Sequence, residues 1–182
     1  HAGTTPMPYR KDALYAAAKL LQYLHDELDK LDKALVYTTG EIVCHPNVHT
    51  VIPDFVEFSI DARHEDPKVI EQVVEVIKNI PKEIVGCTTG YERAWSRDTV
   101  YYDEMLVGYV TEAVNELGYS NQRINSGAGH DAQFVSYMMP TTMIFVPSKD
   151  GHSHCEEEFT PVEQCTKGAS VLLNAVLKCD AQ

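Results

Sequence analysis

Between Phe55 and Arg63 the chain alternates without a break: Val56, Phe58, Ile60 and Ala62 fall on one side, and Glu57, Ser59, Asp61 and Arg63 on the other. A period of two describes a strand with one face in a core and the other in water. Strands buried on both faces read as continuous apolar runs, so this one predicts an antiparallel sheet covered on a single face. It also stands Arg63 on the wet face.

The cover is legible on either side. From Asp12, Ala13, Ala17, Leu20, Leu21, Leu24, Leu28 and Leu31 recur at helical spacing, with Asp26, Glu27, Asp29 and Lys30 opposite. A second helix is capped by Asp66, started by Pro67 and buried through Ile70, Val73, Val74 and Ile77, ending by Pro81. Leu35 to Cys44 reads as a strand joined to Val51–Arg63 through the His45-Pro46-Asn47 turn, and a third strand runs from Glu83 toward Trp95. Residues 1–9, with two prolines and a glycine, read as extended. Helix, strand, strand, helix, strand is an α+β layer, one strand short of a ferredoxin-like unit. The missing strand would precede His1, and a chain opening on His1 rather than Met reads as cut from something longer.

The pattern changes near Ser96–Tyr102. Asp103 caps a helix that turns Leu106, Tyr109, Val110, Ala113, Val114 and Leu117 inward and closes at Gly118. Thr141–Val146, bounded by Pro140 and Pro147, reads as a buried strand, and Thr160, Pro161 and Glu163 as a capping box opening the last helix. Helix, strand, helix, strand, helix is half of a doubly wound sheet. Two domains are therefore expected, 1–98 and 99–182.

Fifteen basic against twenty-seven acidic residues give a net charge of −12, which argues against a nucleic-acid backbone as partner. Five dispersed cysteines without a CxxC pair read as reduced thiols in a cytoplasmic protein. No apolar run approaches the roughly 20 residues that span a bilayer, and there is no signal-like start.

Potential chemistry concentrates in Ser126–Thr160, where Gly127 and Gly129 lead into His130 and Asp131, and His152 and His154 follow the apolar run. His154, among Glu156, Glu157 and Glu158, is either a metal ligand or a surface histidine on an acidic loop. His152 has the same claim, but at i, i+2 on an extended segment the two face opposite ways. His130 orients a substrate oxygen or merely caps a helix. Arg63 grips a carboxylate bidentately or pairs with Asp61. Cys155 has no base beside it in sequence, so a thiol nucleophile is not expected.

Five segments in order raise the functional readings: HAGTTPM with Arg10, Asp12, Ala13 and Leu14; FSIDARH; SGAGHDAQ; PTTMIFVPS; and Ser153-His154 with Glu158 and Thr160. Together they resemble the hydantoinase/carbamoylase family of amidohydrolases, within the dinuclear zinc aminoacylase and carboxypeptidase group. The resemblance implies a carboxyl-terminal portion of such an enzyme: a ferredoxin-like lid lacking its first strand, through which the family forms homodimers, then the end of a doubly wound α/β zinc-hydrolase catalytic domain. It implies a small carboxylated substrate, such as an N-carbamoyl amino acid or allantoate, and two divalent metal ions, zinc or else manganese. His154 resembles the last metal ligand, and His1 the lid histidine that polarises the scissile carbonyl, commonly in the partner subunit's site. Arg63 resembles the substrate-carboxylate arginine, and Gly129 and His130 substrate-contacting positions. One position departs: Thr50 stands where the family usually has asparagine, and a hydroxyl cannot reproduce an amide's separate donor and acceptor. An aminoacylase or dipeptidase of the wider group, or a non-catalytic dimerisation module, are the competing readings.

Overall fold

The computed structural model describes residues 1–181 and divides into two compact units, His1–Thr99 and Val100–Gln182. Among the described residues no helix is long and apolar enough to cross a membrane, and all five cysteines are free thiols.

In the first unit, α1 (Ala13–Leu28) starts where Asp12 accepts the backbone N–H groups of Leu14 and Tyr15. This side-chain cap satisfies donors that the first turn leaves open. Its stripe Ala16, Ala17, Leu20, Leu24 and Leu28 is buried. Four strands follow, β1 (Val36–Thr38), β2 (Ile42–His45), β3 (Phe55–Phe58) and β4 (Asp61–Arg63). β1 pairs antiparallel with β4, and β2 with β3, so the four form one long hairpin closed by residues 46–54. The two strands expected from sequence are thus each interrupted. Thr38 faces Asp61 and Ile42 faces Phe58, leaving Thr39, Gly40 and Glu41 opposite only Ser59 and Ile60. That extra residue is a bulge. It moves the inward phase from Leu35, Tyr37 and Thr39 to Cys44, while the opposite strand keeps Val56, Phe58, Ile60 and Ala62 inward throughout.

α2 (Pro67–Lys78) opens on Asp66, whose side chain accepts the Lys68 N–H. Val69 and Val73 are its buried residues, and Ile70 and Ile77 pack against them as expected, so the stripe differs from the expected one in gaining Val69 and in leaving Val74 half-buried. Val69 and Val73 join Leu28 and Leu35 in a core against which Tyr37 and Ala62 pack. Both helices accordingly cover the Ala62 face of the hairpin, and Asp61 and Arg63 project from the other.

The third strand expected between Glu83 and Trp95 does not form as such. Only the short hairpin β5 (Glu83–Ile84) and β6 (Cys87–Thr88) is present, turning through Val85 and Gly86 at φ 47° and 78°. Positive φ at both turn residues is the two-residue hairpin geometry, and it consumes locally the hydrogen bonds a third strand would have offered its neighbours. The opening segment is not extended either. Arg10 gathers it into a turn, its Nε donating to the Thr5 carbonyl at 2.9 Å and its Nη2 to that of Ala2.

In the second unit, α3 (Glu104–Glu116) is capped by Asp103, which accepts the Leu106 N–H. It ends at Gly118 (φ 70°), where Tyr119 and Gly118 donate to the carbonyls of Val114 and Asn115. This pair of bonds, with glycine in the left-handed region, stops a helix by satisfying its last carbonyls. A short α4 (Asp131–Ser136) and the long α5 (Val162–Asp180) follow. Ala113 and Val114 pack on Val171 and Ala175, with Ile144 against them.

Two sequence expectations fail here for one reason each. Thr141–Val146 is not a strand: it runs over α5, so close that a methyl on Gly168 would meet Val146 Cγ1 at 2.5 Å, but no strand among the described residues pairs with it. Half a doubly wound sheet is therefore not seen. The capping box is also absent, since α5 starts at Val162 with Pro161 as its cap and no side-chain bond, and Glu163 is held by Lys167 at 2.6 Å instead.

Candidate functional site

The hairpin sets the geometry of three candidates in the first unit. Arg63 is the last residue of β4, and its guanidinium lies along the outer face with Nε and Nη2 donating to the two carboxylate oxygens of Asp61 at 3.0 and 2.7 Å. The side chain is 47% exposed. This pairing draws the Asp61 carboxyl below its ordinary value and the guanidinium above its own. In Arg63→Ala, a carboxyl-resolved NMR titration should show the Asp61 pKa rising back toward 3.8. A carboxyl depressed in the folded state stabilises above its unfolded pKa and loses that contribution as pH falls through the folded one. The pair is surface-exposed, so that contribution is about 1 kcal/mol or less.

Behind Arg63, His64 turns inward, its side chain only 6% exposed. Its Nδ1 accepts the Asp66 N–H at 2.9 Å, and Nε2 lies 3.4 Å from Asp32 Oδ1 without hydrogen-bond geometry. The residue following the arginine is thus anchored at the start of α2.

His1 and Thr50 come together at the opposite end of the ribbon. The Ala2 N–H donates to the Thr50 carbonyl at 2.9 Å, and His1 Nδ1 accepts the Gly3 N–H at 3.0 Å. Thr50 lies in the loop beyond the His45–Phe55 pair, whereas Arg63 sits beside Val36. Eight residues of strand separate these ends, roughly 25 Å at the usual rise.

In the second unit, His130 caps α4 without a side-chain cap bond, so the capping alternative for its imidazole does not hold. Its Nε2 lies 2.7 Å from Ser126 Oγ, and its ring meets Phe145 edge-on at 5.5 Å between centroids. Gly129 is exposed beside it. Ser126 had no place among the sequence candidates; its i, i+4 spacing from His130 was the available signal, hidden inside an apparent glycine turn.

His154 is exposed and holds φ 58°, a left-handed conformation costly for a residue with a Cβ. Its backbone N–H donates to Glu158 at 2.9 Å, and the Lys149 N–H donates to the Phe159 carbonyl at 2.7 Å across the base of the loop. His152 keeps ordinary φ. Among the described residues no three His, Cys, Asp or Glu side chains converge as a metal-binding group. The donor set present does not fit a closed metal centre, which needs three or four protein ligands; His154 is a single imidazole.

The sequence matches Peptidase family M20/M25/M40 over residues 10–178. It is 39% identical to the allantoate amidohydrolase of Bacillus subtilis (strain 168), over 98% of this chain and 44% of that protein. It is 35% identical to the N-carbamoyl-L-amino-acid amidohydrolase of Rhizobium meliloti, over the same shares. Its fold is similar to AtUAH crystallised with glyoxylate (TM-score 0.87, 29% identity, all of this chain and 44% of that one). It is likewise similar to a hydantoinase/carbamoylase family amidase of Burkholderia multivorans (TM-score 0.78, 36% identity, 98% and 44%). The chain spans less than half the length of these relatives. With a family match running from the turn before α1 to the last turn of α5, this mixed α/β chain belongs to the M20/M25/M40 family, beside its hydantoinase/carbamoylase amidohydrolases.

Proposed function

We propose that the intact protein hydrolyses a linear ureido or amide C–N bond next to a carboxylate, as in allantoate or an N-carbamoyl amino acid. The observation that carries this reading is Arg63, whose guanidinium already holds a carboxylate in a two-point fork on an exposed strand face. Asp61 is the internal stand-in for the substrate's own carboxylate. A planar fork recognises both charge and orientation, and exchange of one carboxylate for another costs it no new geometry. Allantoate and N-carbamoyl amino acids, the compounds in the relatives' names, each carry such a carboxylate.

His1 is the group suited to the oxygen of the scissile bond, since an imidazole N–H donor aimed at a developing oxyanion is worth about 3 kcal/mol in comparable sites, and His130 is suited to an oxygen of the bound substrate. Thr50 in the first unit and Gly129 in the second are further candidate substrate contacts. His154 supplies one metal ligand; the other ligands of the proposed pair of divalent ions are residues other than these.

Residues 1–98 act as a ferredoxin-like lid and 99–182 as part of the catalytic domain, its Thr141–Val146 segment being an extended run ready for a strand partner. The ribbon supports a homodimer. A substrate under about 10 Å long cannot touch His1 and Arg63 of one chain across roughly 25 Å of strand. Each end therefore serves a different site, completed by the opposite end of a partner subunit. Five free thiols fit a reducing, cytoplasmic setting.

The test is hydrolysis by the intact protein of allantoate, an N-carbamoyl amino acid and an N-acyl amino acid, before and after chelation. Ureido substrates should be preferred by about 100-fold or more, chelation should abolish turnover, and residues 1–182 alone should neither turn over substrate nor bind zinc tightly. A preference for acyl or peptide bonds would overturn the ureido assignment, and failure to hydrolyse any of the three would overturn the reading as a whole.

A further inference from the structure

Ser126 and His130 form a pair whose chemistry goes beyond loop closure. Ser126 Oγ accepts the Ala128 N–H at 3.3 Å and lies 2.7 Å from His130 Nε2. That distance is usual when a hydroxyl donates and at the short limit when a nitrogen does. The Ala128 N–H occupies one lone pair of the hydroxyl and leaves its single hydrogen available to Nε2. In a neutral imidazole a nitrogen that accepts obliges the other to carry the proton. Phe145, edge-on to the ring at 5.5 Å and 63°, restrains the flip that would exchange the two nitrogens.

We infer that Ser126 is a positioning residue that holds His130 as its Nδ1–H tautomer, so that a neutral hydrogen-bond donor faces an oxygen of the carboxylated ureido or amide substrate. The inference rests on His130 being a substrate contact. A purely structural Ser126 would shape the turn through Ala128 and leave the tautomer alone.

The experiment uses intact protein with 15N-labelled histidine, reading the ring nitrogens by two-bond proton–nitrogen correlation, together with steady-state kinetics. His130 should show the Nδ1–H pattern. Ser126→Ala should shift it toward Nε2–H and raise KM about tenfold, the scale of one neutral hydrogen bond, with kcat within about twofold. Ser126→Thr, which keeps the hydroxyl, should restore both. An Nε2–H pattern in the parent, or an unchanged pattern in Ser126→Ala, overturns the inference. A changed tautomer with unchanged kinetics upholds the control by Ser126 and removes His130 from the substrate instead.

Discussion

His154→Ala should lower metal content and turnover of the intact protein by about 100-fold or more, while His152→Ala changes either by less than about threefold. Even residues that merely orient a metal's ligands cost 10–100-fold when removed, and a ligand itself costs more. The two histidines are two residues apart, but their backbones differ. His154 is held in the left-handed region, a conformation worth of order 1–3 kcal/mol of strain that persists only where its surroundings enforce it. Glu158 enforces it through the His154 N–H, and the bond from Lys149 to Phe159 closes the loop beneath. His152, whose N–H donates to the Lys149 carbonyl at 3.1 Å, keeps an ordinary φ and carries no such strain. Metal analysis of the purified variants decides the matter, and equal losses in both would remove His154 from the metal.

Arg63→Lys should raise KM for carboxylated substrates by roughly 30-fold, with little change for an analogue lacking the carboxylate. A charge-assisted hydrogen bond contributes about 1.5–3 kcal/mol, and lysine replaces a two-point fork by one mobile point charge. The strand supplies the rest of the specificity. His64, buried and bonded at Nδ1 to the Asp66 N–H, prevents the end of β4 from drifting with the substitution. If the variant handles both compounds as the parent does, Arg63 serves only Asp61.

What the sequence disclosed and what it hid divide along a physical line. Asp66 and Asp103 were legible as helix caps because capping involves neighbours two or three residues away, and each forms. The one-sided strand from Phe55 to Arg63 was legible because its alternation reports burial directly. The bulge at Thr39–Glu41 was not, since an extra residue shows only against the partner strand. Thr141–Val146 has the composition of a strand, but a strand exists only where another pairs with it. Thr160 and Glu163 match a capping box by spacing, yet Lys167, one turn on, takes the carboxylate. Among the candidate residues, the Arg63–Asp61 pairing was foreseeable from i, i+2 alternation. The union of Ala2 with Thr50 depends on a loop closing over 48 residues and left no local trace.

The length of the ribbon carries a genetic consequence. With His1 and Thr50 at one end and Arg63 at the other, one lesion at each end of a chain falls in two different sites of the proposed dimer. A cell making one allele without Arg63 and another without His1 would assemble mixed pairs in which both defects gather in one site and the other is whole. Two alleles, each inactive when alone, would then complement each other, with half the sites of every mixed pair intact.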